Sequence, residues 1–167
     1  MMAISTRGRY SVRILVLMAS QPPGRMFTKH QIAESEGISD GYVQQLLMVL
    51  HATGFVTSHR GKTGGFTLRR PAEMVTVADV LEATEGQIIP VPCLGVEKCE
   101  REARCPTRPL WQKAAGLLED LFRGVTIAGL AGNGADSRLL EPRAVHGARQ
   151  GHRESDLVPA GQGCDRS

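Results

Sequence analysis

A chain of 167 residues is long enough to bury a hydrophobic core without covalent staples. Aromatics make up only 4% of it, so aliphatic side chains must build that core. No apolar run reaches the roughly 18 residues of a membrane span, and the opening MMAISTRGRY lacks the apolar stretch of a secretion signal. A reducing cytoplasm is therefore the expected compartment, where clustered cysteines point to metal or redox chemistry more than to structural disulfides. The net charge of +3 hides a division: residues 1–70 hold nine Lys/Arg against three acids, and residues 71–132 hold six against nine. A basic N-terminal part suits a surface that faces nucleic acid, although a solvated basic face would look the same.

Residues 5–19 read as a helix that Ser5 or Thr6 can cap, with Tyr10, Ile14, Leu17 and Met18 at helical spacing. Gln21-Pro22-Pro23-Gly24 stops it. Thr28 caps a short helix carrying Ile32 and Ala33, Gly37 ends that helix, and Ser39 caps a third running from about Asp40 to His51. Phe55 to His59 and Phe66 to Arg69 read as two strands joined by the glycine-rich turn Arg60-Gly61-Lys62-Thr63-Gly64-Gly65, a β-hairpin with a basic tip. Thr76 caps a fourth helix with Val77, Val80 and Leu81 apolar. Residues 87–106 hold Pro90, Pro92, Gly95, Pro106 and three cysteines and cannot be helical throughout. A long amphipathic helix follows from about Thr107 to Arg123, with Leu110, Ala114, Leu117, Leu118 and Leu121 on one side, and Thr126 caps a short last helix ending near Gly132. Beyond Asn133 apolar periodicity is lost and a disordered tail is expected, carrying Cys164 as a free thiol.

Helix, tight turn, helix, basic hairpin is the order of a winged helix-turn-helix. Val43, Leu46, Leu47 and Leu50 sit at i, i+3, i+4 and i+7, so at about 100° per residue Gly41, Gln45 and Met48 face the other way with Gln44 beside them. Glutamine suits bidentate reading of adenine in the major groove. An arginine on a mobile wing suits a neighbouring minor groove. The candidate DNA-contacting set is Thr28, Ser39, Tyr42, Gln44, Gln45, Arg60 and Lys62, with the hydroxyls on phosphates. Gly61-Lys62-Thr63 resembles the end of a phosphate-binding loop, but Val56 stands where that loop needs glycine, so nucleotide binding is rejected. No general-base constellation or cofactor motif argues for an enzyme.

Cys93, Cys99 and Cys105 are spaced C-x5-C-x5-C. Soft thiolates suit iron–sulfur clusters and zinc, and structural zinc ordinarily uses closer pairs. Zinc, a redox disulfide and unliganded thiols stay open beside the cluster.

The stretches Ser5–Tyr10, Glu36–Ser39, Val56–Gly61, Gly64–Leu68 and Thr107–Trp111, together with the cysteine spacing, resemble the winged-helix iron–sulfur regulators. That family is typified by the iron–sulfur cluster regulator and the nitric-oxide-sensing repressor. The resemblance runs from Ala3 to about Gly132. It implies a mainly α fold with a two-stranded wing, and a homodimer built on the long helix. It further implies a [2Fe-2S] or [4Fe-4S] cluster on Cys93, Cys99 and Cys105, and a pseudo-palindromic operator in double-stranded DNA. The chain then divides into a DNA-binding domain (1–86), a cluster loop (87–106), a dimerisation helix with a short terminal helix (107–132) and a tail (133–167). Two departures stand out. Arg108 occupies the place of a fourth ligand, His, in some relatives, and Arg7-Gly8-Arg9 lacks the acid that others use. Glu36, His30, Glu97, Glu102, an exogenous thiol or water remain as candidates for that place.

Overall fold

A computed structural model of the chain describes residues 4–61, 64–95 and 99–132. Lys62, Glu97 and the tail with Cys164 lie outside the described residues. The elements run α1 (Thr6–Ala19), α2 (Lys29–Glu36), α3 (Asp40–Ala52), β1 (Val56–His59), β2 (Gly65–Leu68), α4 (Val77–Glu85), α5 (Arg108–Arg123) and α6 (Ile127–Ala131), with short 3-10 turns at 72–74, 92–94 and 102–104. The mainly helical architecture with one two-stranded antiparallel sheet is the one expected.

Local chemistry sets the helix starts. Ser5, and not Thr6, caps α1 by accepting from the Gly8 N–H. Thr28 and Thr76 each form a reciprocal capping box, with Gln31 and Asp79 respectively. Ser39 caps α3 by accepting from the Tyr42 N–H. Each such cap is worth about 1 kcal/mol. The turn between α2 and α3 depends on Gly37, whose φ of +66° is the left-handed conformation that glycine adopts without a Cβ penalty.

One aliphatic core joins these pieces. Ile14, Leu15, Ile32, Val43, Leu46, Leu47, Leu50 and Val56 are buried in it. The stripe of α3 inferred from spacing is thus the buried one. Ile127 of α6 belongs to the same cluster, well away in sequence from the rest of it. Its N–H donates to the Val75 carbonyl at 2.8 Å, and the Val77 N–H donates to the Val125 carbonyl at 2.9 Å. Residues 125–127 therefore stitch the far side of α5 back onto the segment that begins α4, through an antiparallel bridge between Thr76 and Thr126.

The hairpin pairs Val56 with Leu68 and His59 with Gly65. Its base has an additional partner. Phe27 and Phe66 exchange backbone hydrogen bonds at 2.9 and 2.8 Å, so the connection between α1 and α2 lies along β2. A Cβ at Gly65 would sit 2.7 Å from the Phe27 carbonyl oxygen, and glycine is what lets the two backbones meet. Glu85, at the end of α4, accepts from the backbone N–H and hydroxyl of Ser5 at the head of α1.

Helix α5 is different. No residue of it is fully buried. Leu110, Leu117 and Leu121 are 58%, 51% and 48% exposed, an apolar stripe open to solvent.

Candidate nucleic-acid interface and cysteine segment

The second and third helices present a surface opposite to the core stripe. Gln44, Gln45, Met48 and His51 of α3 are exposed, Met48 at 63%. Gln44, Gln45 and Met48 put amides and a thioether on this face, and Asp40 at the head of the same helix is turned to His30. Thr28 and Ser39 are exposed, with their hydroxyl oxygens engaged as helix caps. A capping hydroxyl accepts from the backbone and keeps its own O–H free to donate, so both can still serve a phosphate. Tyr42 is half-buried. Its ring meets Tyr10 edge-on, with centroids 6.1 Å apart and planes at 87°, which ties α3 to α1. Arg60 is exposed at the end of β1. Arg9 and Arg13 lie against the Tyr10 ring, Arg25 against Phe27 and Arg70 against Phe55, which holds cations close to the hairpin and the first helix. His59 meets the Thr67 hydroxyl across the hairpin at 2.9 Å, a contact within the wing.

The cysteines lie between α4 and α5. Cys93 falls in one 3-10 turn, Cys105 closes another, and Cys99 begins the turn between them. All three are free and half-buried. The Cys105 sulfur lies 3.4 Å from the Thr107 hydroxyl. Hydrogen bonding from the Thr107 side chain, then from its backbone, holds the Cys105 thiol below its ordinary value.

Arg108 stands at the head of α5, where the resemblance places a ligand in some relatives. Its guanidinium donates to the Cys93 carbonyl at 3.2 Å and pairs with the Glu102 carboxylate at 2.6 Å. Of the other candidates for a fourth ligand, Glu36 is buried against Arg13. His30 faces Asp40 across the α2–α3 turn at 3.3 Å. Both belong to the helix-turn-helix. Glu102 is engaged by Arg108. An open groove of ≈ 720 Å³ separates α5 from residues 86–89 and 94, and Arg108 lines it.

The donor set fits an iron–sulfur cluster by its chemistry: three free thiols on irregular backbone, each partly open to solvent. Among the described residues no three His, Cys, Asp or Glu side chains are gathered around one point. Assembly of a site on these thiols therefore takes rearrangement of the described backbone that carries them, which turns at 92–94, 99–102 and 102–104. Sequence reasoning missed the part played by Thr107, whose hydroxyl meets the Cys105 sulfur, and named Glu102 only as a candidate ligand, whereas its carboxylate pairs with Arg108 and its N–H donates to the Cys99 carbonyl.

A helix-turn-helix with an exposed amide face, a basic hairpin directly after it and one aliphatic core define a winged-helix DNA-binding transcription regulator. Residues 4–133 match the model of the Rrf2 family, described as iron-dependent transcriptional regulators, and the chain belongs to that family. Protein rrf2 of Nitratidesulfovibrio vulgaris is 33% identical over 150 residues, covering 87% of this chain and 100% of that one. The HTH-type transcriptional regulator IscR of Erwinia tasmaniensis is 31% identical over 132 residues, covering 79% and 80%. The solved structure of CymR, described as the global cysteine regulator of B. subtilis, has the same fold, with a TM-score of 0.66 at 30% identity over 78% of this chain and 97% of that one.

Proposed function

We propose that this chain works as a homodimeric repressor that reads a pseudo-palindromic operator and senses iron–sulfur status, redox state or nitric oxide through a cluster on Cys93, Cys99 and Cys105. The observation that carries this reading is the position of three free thiols on one irregular segment that links α4 to α5. A [2Fe-2S] cluster is favoured over [4Fe-4S]. When bound, such a group supplies a centre that oxidant, nitric oxide or iron shortage can alter.

The rest falls to the chain. The segment begins after Glu85, which holds the head of α1 through Ser5, and ends at Arg108, the first residue of α5. Arg123 at the other end of α5 pairs with Glu82 of α4 at 2.8 Å. Reordering of the segment thereby acts on the angle between α5 and the DNA-binding core. The exposed leucine stripe of α5 is the surface that a second copy covers. An isologous pair fixes the separation of the two α3 helices, and a change in that separation alters the fit to half-sites about one helical turn apart. Gln44 and Gln45 read bases; Thr28, Ser39 and Tyr42 contact phosphates, and Arg60 and Lys62 of the wing add their charge.

Anaerobic purification tests this. The expected product is coloured, holds iron and acid-labile sulfide, and loses both in Cys93→Ala, Cys99→Ala and Cys105→Ala. It shifts its own upstream region in a gel with a steep salt dependence. A colourless protein loaded with zinc, or one whose thiols cycle through a disulfide, supports instead a thiol or zinc switch on the same scaffold. The Thr107 hydroxyl beside the Cys105 sulfur, which lowers that thiol, supports a reactive cysteine in this second reading.

A further inference from the structure

Arg108 is in an electrostatically poor place for a helix. A cation on the first turn opposes the helix dipole, and α5 has no acid in that turn to compensate it. Arg123, in the last turn of the same helix, shows the favourable placement. What Arg108 gains lies outside the helix. One prong reaches the Cys93 carbonyl at 3.2 Å, and the other reaches Glu102 at 2.6 Å. The Glu102 N–H donates in turn to the Cys99 carbonyl at 2.9 Å, and the Arg108 N–H donates to the Cys105 carbonyl at 3.4 Å. A single residue thus touches, directly or through one neighbour, the backbone of all three cysteines. Its side chain is 21% exposed, less than that of its partner Glu102 at 53%. The flat guanidinium has donors for both prongs at once, which the single ammonium of lysine matches poorly.

We infer that Arg108 is a clasp that closes the cysteine segment without metal. It is a positioning residue that holds the Cys93 arm against the Cys105 arm, so that the protein keeps its thiols in a common neighbourhood between one filling and the next. In this chain a fixed charge stands in place of a ligand. The inference takes the identity of the ligands from the function proposed above, but the clasp acts in metal-free protein and is tested there.

The test uses the full chain with Cys164→Ser, stripped of metal under reductant. Alkylation of each cysteine by N-ethylmaleimide is followed by peptide mass spectrometry in Arg108→Ala, Arg108→Lys and Glu102→Gln. Loss of a part-exposed, charge-assisted pair is expected to speed modification of Cys93 roughly fivefold in Arg108→Ala. Arg108→Lys and Glu102→Gln fall between that variant and the parent. Rates within about twofold of the parent in all three variants overturn the clasp. If Arg108→Ala does not fold, Arg108→Lys and Glu102→Gln decide alone: faster Cys93 modification in a folded variant supports the clasp, and unchanged rates refute it. A second arm measures iron release to a chelator from reconstituted protein, faster in Arg108→Ala than in the parent. A parent that takes up no iron sinks the cluster reading, while the alkylation arm still decides the clasp.

Discussion

Replacing Ile127 by alanine probes whether the end of the chain's long helix is truly fastened to the DNA-binding core. Ile127 is 1% exposed and lies in the same cluster as Ile14 and Leu50. The substitution deletes three carbons, and at about 0.8 kcal/mol per buried methylene the transfer loss alone is about 2.4 kcal/mol. The cavity left behind adds to this, because a packed core relaxes only in part, and the total expected is about 3 kcal/mol. Set against a domain stability on the order of 5–15 kcal/mol, the effect is large. Urea unfolding measures it, at one fixed protomer concentration, since association stabilises by mass action. With slopes of about 1–3 kcal/mol per molar, the midpoint falls by roughly 1–3 M. Ile127→Val should cost about 1 kcal/mol. A loss below about 1 kcal/mol for the alanine variant would refute the docking of α6. It would mean that residues 125–132 rest on the core without being part of it.

Gln44→Ala should lower affinity for the specific operator by about 1–3 kcal/mol while non-specific DNA binding and its salt slope stay put, as measured by fluorescence anisotropy on matched and scrambled duplexes. Arg60→Ala should weaken both duplexes alike and reduce the salt slope by about one. The Ser11 hydroxyl is buried with no partner among the described residues, and an unmet buried polar group costs about 1–3 kcal/mol, so Ser11→Ala should raise the urea midpoint; a lower midpoint would expose a hidden partner. Thr107→Val removes the largest influence holding the Cys105 thiol down. A thiol of lower pKa is more fully ionised at a given pH, so in metal-free protein Cys105 of the variant should react more slowly with iodoacetamide at pH 7, and its rate should rise at a higher pH than in the parent.

Much of this fold could be read from residue order because its signals are local. Ser39, Gly37 and the leucine spacing of α3 each act within one or two turns, and they placed the helix-turn-helix and its buried stripe. The wing followed from two short strands around a glycine-rich turn. What stayed hidden depends on distant pairs. The bridge from Phe27 to Phe66 is a single residue of ladder and leaves no alternation to detect. Ile127 looks like one more apolar residue in a short helix, and only the closed chain brings it into the core cluster that holds Ile14. The site divides along the same line. The exposure of Gln44 and Gln45 follows from helical angle alone. Arg108 was visible in the sequence only as a residue that cannot ligate, since its two partners are reached across turns whose path the sequence does not encode.

The shared backbone of Phe27 and Phe66 has a mechanical consequence. The base of the wing is welded to the linker that launches the helix-turn-helix, with no room at Gly65 for slack between them. The base of the hairpin and the start of the helix-turn-helix therefore share one hydrogen-bonded backbone junction. Under the function proposed above, a signal at the cysteines would therefore move the base of the wing and the helix-turn-helix together, and contacts made through either would strengthen or fail in step.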